Sequence, residues 1–161
     1  MLQTKWIEIE LVHRFITEKL EGVVPKEAWG ETSYFYNPDY LFERGTYFAT
    51  IKKKDGANDR ASQLDREGVW RLNIGVSKGA FFELFGPQPP RPRKGGVVEG
   101  AWDFMALDQL TPHPIYGWMS WVSCLNPSTE TWEKCMPLLA DAHMRAQHNF
   151  QSRLRKLQRT K

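Results

Sequence analysis

The apolar residues at the start of the chain recur with the spacing of a helix. Alternating steps of four and three residues connect Leu2, Trp6, Ile9, His13, Ile16 and Leu20. This spacing places them on one stripe of an amphipathic helix over residues 2–20, and Gly22 follows as a suitable stop. His13 lies in the middle of the stripe, so we expect its side chain to point inward.

Three runs with the alternation and aromatic content of β-strands come next. They are TSYFY at 32–36, TYFATIK at 46–52 and VWRLNIGV at 69–76. Turn residues separate them: Asn37-Pro38-Asp39 after the first run, and Asp55-Gly56 at the centre of the charged stretch 52–60. That stretch indicates a hairpin tip.

The third run divides into two faces. Its apolar positions are Trp70, Leu72, Ile74 and Val76. Because successive side chains of a strand point to opposite sides of the sheet, these four residues predict the core face, and Arg71 and Asn73 lie on the other.

The second half of the chain predicts a short helix, one further strand region and a long helix. In the helix at 77–86, Ser77 can cap the first turn and Gly86 can end it. Residues 116–125 indicate a strand, and Asn126-Pro127-Ser128-Thr129 opens the last helix. Pro137 should kink that helix or mark where its main part begins. Its apolar stripe consists of Leu139, Ala142, Ala146, Phe150, Leu154 and Leu157.

Two segments interrupt or follow this pattern. Residues 87–96, PQPPRPRKGG, break all periodicity and predict a Pro-rich basic loop. Residues 152–161 form a basic tail that we expect to fray. The complete order, α-β-β-β-α-β-α, predicts one α+β domain over residues 1–161, with a mostly antiparallel sheet and helices at its N- and C-terminal ends.

Several blocks of sequence carry a family resemblance. They are AWGETSYFYNPD, TYFATI, Asp65 with GVWRLNIGV, FELFG, LDQLTPHPIYGWMSWVSCLNP and LLADAHMRA. Over roughly residues 28–146 the chain resembles a family of small bacterial and fungal proteins of unknown function, which is distantly similar to the MmcQ/YjbR proteins. The resemblance implies a secretion-chaperone-like α+β arrangement. It also implies an alternative function, because some members of that group have been proposed to bind DNA through two hairpin wings.

Composition and charge exclude few classes of protein. The net charge is +3, from 22 basic and 19 acidic residues, which permits contact with nucleic acid without requiring it. The two cysteines, Cys124 and Cys135, form no CxxC pair and indicate buried thiols in a reducing compartment. No signal peptide and no apolar run of membrane-spanning length is present. We therefore expect a cytoplasmic protein that does not contact a membrane.

His113 is the first candidate for chemistry. It stands between Pro112 and Pro114 in LTPHPIYGW, where the prolines fix φ and bias the residues before them to extended backbone. A stiff segment suits a general acid or base, because such a group must be held within hydrogen-bond reach of its substrate. The alternative is that His113 caps backbone groups in a buried connection.

Arg71 and Asn73 are the second candidates. Neighbouring strands offer aromatic residues to their face, which predicts a pocket for a planar or anionic ligand. The alternative for Arg71 is an ion pair with Asp65 or Asp108. The histidines His13, His113, His143 and His148 lack the spacing of a metal site, and no nucleotide-binding motif is present, so we expect neither metal nor cofactor.

Two functions follow as hypotheses. The first is binding of a small organic ligand, with cofactor-independent acid/base turnover of the isomerase, cyclase or lyase type. His113 would transfer a proton and Arg71 would stabilise an oxyanion. The remaining ligand-binding candidates are Asn73, Tyr34, Tyr36, Tyr116, Trp118, Trp121 and His13. The second hypothesis is a nucleic-acid-binding module that uses Lys52, Lys53, Lys54, Arg91, Arg93 and Lys94.

Overall fold

The computed structural model describes residues 6–160. Its helices are α1 (Ile9–Arg14), continued by one π-helical stretch (Phe15–Lys19), α2 (Lys78–Phe85) and α3 (Thr129–Arg159). Its strands are β1 (Val23–Ala28), β2 (Glu31–Tyr36), β3 (Thr46–Lys52), β4 (Arg71–Gly75), β5 (Leu110–Pro112) and β6 (Trp121–Leu125). Short 3-10 turns lie at Pro38–Tyr40 and Gly117–Met119.

The six strands form one antiparallel sheet in the order β1-β2-β3-β4-β6-β5. The predicted α+β class is confirmed, but the predicted order of elements is wrong in two places. Strand β1 was missed because it is an edge strand whose last four residues are exposed and which contains Pro25, so it has no clear apolar alternation. Residues 116–125 are not one strand, since a 3-10 turn precedes β6 and the short β5 pairs with it.

Helix α3 covers one face of the sheet. Ser128 caps it by accepting a hydrogen bond from the N–H of Thr131, and its stripe from Leu139 to Phe150 is buried as predicted. The helix runs through the exposed Pro137 to Arg159, so the expectation of a fraying tail at 152–161 is wrong for the residues up to 159. Leu157, predicted on the stripe, is exposed.

Helix α1 is shorter than predicted, and its buried residues match the predicted stripe only in part. Val12 and Ile16 are completely buried, whereas Trp6 lies before the helix and is 43% exposed. Leu2, the first residue of the predicted stripe, lies outside the described residues. The helical stretch ends at Lys19, and Gly22 follows with a left-handed φ of 71°, as expected for a stop. Within residues 6–160, no helix combines the length and the apolar character that a bilayer crossing requires.

Candidate functional site

A row of small polar residues crosses the sheet on the face turned away from α3. Leu72, Ile74 and their neighbours on the other face form the core with α3, so the alternate residues of each strand face the opposite side. The pairing register aligns Ser33, Thr50, Asn73, Ser123 and Thr111 across five strands.

Asn73 lies at the centre of this row and is almost completely buried. Its Oδ1 accepts hydrogen bonds from Arg71 Nε at 2.7 Å and from Ser123 Oγ at 2.8 Å. Its Nδ2 donates to Thr50 Oγ1 at 2.9 Å. Each polar group of the side chain therefore has a partner, which fixes the amide beneath the cleft described below.

Arg71 is completely buried and is surrounded by partners. Its Nη1 donates to Asp59 Oδ1 at 3.0 Å and to Ser62 Oγ at 2.9 Å, and its Nη2 donates to Asp59 Oδ2. The ion-pair alternative was therefore right in kind, but its predicted carboxylates, Asp65 and Asp108, were wrong. Since Arg71 is not exposed and lies behind the cleft, it cannot contact a ligand in the way we predicted.

Asp59 carries the negative charge of this cluster and stays accessible, with 18% of its side chain exposed. Burial by itself raises the pKa of the carboxyl, but the hydrogen bonds and the positive charge of Arg71 outweigh it and hold the pKa below its ordinary value. Asp59 is therefore an ionised hydrogen-bond acceptor and a weak base.

The backbone of His113 is fixed on both sides. Its N–H donates to the carbonyl of Trp121 at 2.9 Å, and its carbonyl accepts from the N–H of Gly117 at 2.9 Å. Gly117 has no Cβ, and one added there would lie 2.9 Å from Pro112 Cβ. The stiffness predicted from the two prolines is thus reinforced by hydrogen bonds and by close packing.

Two backbone amides define the protonation of the imidazole. The N–H groups of Ile115 and Tyr116 both point at His113 Nδ1, at 3.0 and 3.1 Å. Nδ1 must therefore carry the lone pair, and the proton of the neutral ring lies on Nε2. Burial, together with the charge of Arg71, lowers the pKa of His113 to about 3. Nδ1 thus caps two backbone N–H groups, as the alternative for His113 predicted. Nε2 is not used in this capping and carries the proton of the ring.

An open cleft of about 390 Å³ lies over this cluster, and we call it the main cleft. Thr50, Asn73, Asp59 and His113 contribute to its floor, and Lys52 adds a cation. Its aromatic walls are Phe35, Tyr47, Tyr116 and Trp121. The volume is suitable for a small organic molecule.

A second cleft of about 420 Å³ adjoins the first, and we call it the basic cleft. The two share Asn58, Ile115 and Tyr116 as a common wall. The basic cleft is lined by Trp118 and by three cations of the Pro-rich loop, namely Arg91, Arg93 and Lys94. The guanidinium of Arg91 stacks on the ring of Trp118 at 4.8 Å.

Three predicted ligand-binding residues lie elsewhere. Tyr34 and Tyr36 are on the helix-covered face, where Tyr34 is completely buried and Tyr36 packs edge-on against His143 and Phe150. His13 accompanies them there, with its Nδ1 at 2.7 Å from the Tyr34 hydroxyl. The two tyrosines were expected beside Arg71, and this expectation is wrong because the register puts Tyr34 level with Ile74 and not with Asn73. His13 points inward, as its place on the apolar stripe predicted.

The predicted basic loop around residues 52–54 is divided between two surfaces. Lys52 lines the main cleft, whereas Lys53 and Lys54 line a different depression beside Asp65 and Glu67. Lys52 faces the same cleft as Asp59. The six cations proposed for nucleic acid therefore do not line a single cleft.

Sequence reasoning missed Asp59, Ser62, Thr50, Ser123 and Tyr47. Asp59 lies in the charged stretch 52–60, from which only a hairpin tip was predicted, and its partner is twelve residues away. Ser123 lies in a predicted strand region, and the register with β4 would have identified it. Tyr47 pairs with Phe35 beyond a register shift between β2 and β3, which simple alternation does not predict. Within residues 6–160, no cluster of three or more His, Cys, Asp or Glu side chains is arranged to hold a metal ion.

The comparisons with known proteins give a family without an activity. The model of a family of unknown function, DUF6194, matches residues 7–155, so the chain belongs to that family. The match includes α1 and the Pro-rich loop. No curated protein and no solved structure matches the chain.

Proposed function

We propose that this member of the DUF6194 family binds a small organic ligand in the main cleft and acts on it by cofactor-independent proton transfer. The observation that carries the proposal is the pairing of His113 and Asp59. Both line one aromatic-walled cleft, and both approach the same guanidinium nitrogen, Arg71 Nη2. A ligand atom between them would meet a donor and an acceptor at once.

His113 would act as a neutral hydrogen-bond donor. A ring with its proton on Nε2 and a pKa near 3 does not serve as a general base at neutral pH. It can donate to a carbonyl oxygen and stabilise the enolate that forms there, as neutral imidazoles do in proton-transfer enzymes.

Asp59 would accept the proton. In this step the C–H bond next to the carbonyl breaks, its proton moves to a carboxylate oxygen of Asp59, and the electron pair passes to the carbonyl oxygen held by His113 Nε2–H. Return of a proton to the same carbon completes an exchange, and where a C=C bond is conjugated with the enolate, return to the far end of that bond completes an isomerisation. Arg71 keeps Asp59 weakly basic. The hydrogen bond from His113 to the carbonyl must therefore make the neighbouring C–H group more acidic.

The other cleft residues would bind and orient. Lys52 supplies a positive charge beside the acceptor, and the Tyr116 and Trp121 rings supply flat walls for a planar group. Arg71 would be a positioning residue, because it orients Asp59 and Asn73 without reaching the ligand.

The proposal also covers the wider kinship of the family and the location of the protein in the cell. A distant kinship with the MmcQ/YjbR proteins rests on the resemblance described from the sequence, and the antiparallel sheet with a C-terminal helix is compatible with it. A cytoplasmic location is supported by two free and buried cysteines, Cys124 and Cys135.

The test is enzyme-dependent exchange of carbon-bound protons. Phenylpyruvate and 2-oxobutyrate are incubated with the protein in D₂O, and loss of the proton signal at the carbon next to the carbonyl is followed by NMR. Saturation-transfer spectra on the same samples report binding. We expect exchange above the buffer rate that is lost in His113→Asn and Asp59→Asn and kept in His148→Asn, whose side chain is exposed on α3. Exchange at the buffer rate, with neither probe bound, would reject the proposal.

A further inference from the structure

We propose that the ligand of this protein is a small phosphorylated molecule and that the basic cleft binds its phosphate group. The inference rests on the proposed function, because it extends the ligand of the main cleft into the neighbouring one. It gives the Pro-rich loop a role in binding the ligand, whereas the proton-transfer step involves no residue of this loop.

Continuity of the two clefts is the first observation. Tyr116, Ile115 and Asn58 contribute to both, and the Tyr116 ring lies 5.0 Å from the imidazole of His113. A ligand that places a carbonyl at His113 therefore has the basic cleft directly beside it. Each cleft is large enough for several heavy atoms and neither for a large cofactor.

Charge is the second observation. The basic cleft has Arg91, Arg93 and Lys94 in its lining and no carboxylate. Among residues 6–160, none of these three cations forms an ion pair. Concentrated and uncompensated positive charge in a concave site favours an anion, and guanidinium groups bind phosphate oxygens with two parallel hydrogen bonds.

Preorganisation of the loop is the third observation. Arg93 and Lys94 lie in a tight turn, which is closed by a hydrogen bond of 2.8 Å from the Gly96 N–H to the Arg93 carbonyl. Gly95 adopts a left-handed φ of 80° within this turn. Just beyond the turn, the N–H of Val98 donates to the carbonyl of Pro114 at 2.8 Å. The basic loop is thus tied to the segment that carries His113.

The shape of this positive region favours a small phosphate monoester over a nucleic acid. The three cations surround a depression of about 420 Å³, whereas a duplex is contacted along an extended positive surface. Lys53 and Lys54, which would extend such a surface, line a depression that also contains Asp65, Glu67, Glu8 and Glu10.

The experiment uses inorganic phosphate and phenyl phosphate as probes. Each is titrated into the full chain at low salt, and the indole N–H signal of Trp118 is followed by ¹H–¹⁵N NMR. The test variant is Arg93→Gln with Lys94→Gln, and the matched control is Lys53→Gln with Lys54→Gln, which removes the same charge from another surface. We expect saturable shifts that weaken about tenfold or more in the test variant, as the loss of charge-assisted hydrogen bonds predicts, and that stay within about twofold in the control.

Three outcomes would overturn the inference. The first is no saturable shift with either probe. The second is equal weakening in the two variants, which indicates diffuse charge. The third is a DNA duplex of about 20 base pairs that binds with a steep salt slope while both small probes fail, which indicates a nucleic-acid surface.

The phosphate titration and the proton-exchange experiment test the two proposals separately. Proton exchange with phenylpyruvate in the absence of phosphate binding rejects the phosphate site alone. Phosphate binding that depends on Arg93 and Lys94, in a protein without exchange, rejects the proton-transfer proposal and leaves the anion site established.

Discussion

His113 Nε2 lies 3.3 Å from Arg71 Nη2, and neither nitrogen can accept a hydrogen bond from the other. Arg71 has only donors, and the two amides at Nδ1 place the imidazole proton on Nε2. Two N–H groups held this close repel each other unless a common acceptor joins them. The contact therefore disfavours a charged imidazole and favours a ligand oxygen at the same place.

The protonation of His113 gives the first prediction. Because the pKa is lowered to about 3, the ¹⁵N spectrum at neutral pH should show a neutral ring with the proton on Nε2, and the ring should stay neutral down to about pH 4. Below pH 6.5, the ordinary pKa of histidine, His113 becomes protonated in the unfolded chain but stays neutral in the folded chain. Stability should then fall with decreasing pH by up to about 1.4 kcal/mol per pH unit.

This slope should be absent in His113→Asn, measured by urea unfolding from pH 7 to pH 4. A folded-state ring that becomes charged near pH 6, or equal slopes in the two proteins, would contradict the assignment.

Replacement of His113 separates its two nitrogens. Asparagine keeps an acceptor close to the position of Nδ1 but has no group at Nε2, whereas alanine removes both. Alanine leaves the Ile115 and Tyr116 amides without an acceptor, so His113→Ala should lower the free energy of unfolding by about 1–3 kcal/mol, and His113→Asn by less. Both variants should lose proton exchange equally. Full exchange in His113→Asn would show that only the capping role exists.

The Asp59–Arg71 pair gives a pH-dependent prediction. Asp59→Asn leaves a buried guanidinium without its counter-charge and should destabilise the fold by about 3 kcal/mol near neutral pH. The pKa of Asp59 is lowered on folding, so its contribution is complete above the ordinary value near 3.8 and is lost as the pH falls through the lower folded value.

The stability difference between wild type and Asp59→Asn should therefore narrow below about pH 4. Urea unfolding at pH 7 and pH 3 checks this, with Asp39→Asn on the surface as the control. A difference that does not change with pH would contradict the ion-pair role.

Gly75 and Trp121 make a packing prediction. A Cβ on Gly75 would lie 2.7 Å from the Trp121 ring and 2.9 Å from Arg145 Nη2. Gly75→Ala should displace the Trp121 wall of the main cleft and lower stability by about 1–3 kcal/mol, with a change in tryptophan fluorescence. The control, Gly79→Ala, adds a methyl group to helix α2 in open space and should stabilise by about 0.5–1 kcal/mol. Unchanged stability in Gly75→Ala would show that Trp121 is free to move.

The sequence predicted those elements whose local pattern is strong. Strands β2, β3 and β4 and helices α2 and α3 follow from periodicity, and Ser77 caps α2 as expected. The edge strand β1 and the three-residue β5 carry Pro25 and Pro112, and their pairing comes from neighbouring strands, not from their own pattern.

Of the site, the sequence by itself determined the candidates and their rigidity. Alternation put Arg71 and Asn73 on one face, and two prolines made the His113 segment stiff. Only the tertiary structure decided which residues meet there. Strand register, which a one-residue slip would invert, turned Tyr34 and Tyr36 to the helix side. Loop closure brought Asp59 to Arg71. Such contacts depend on the geometry of residues distant along the chain, which no local pattern encodes.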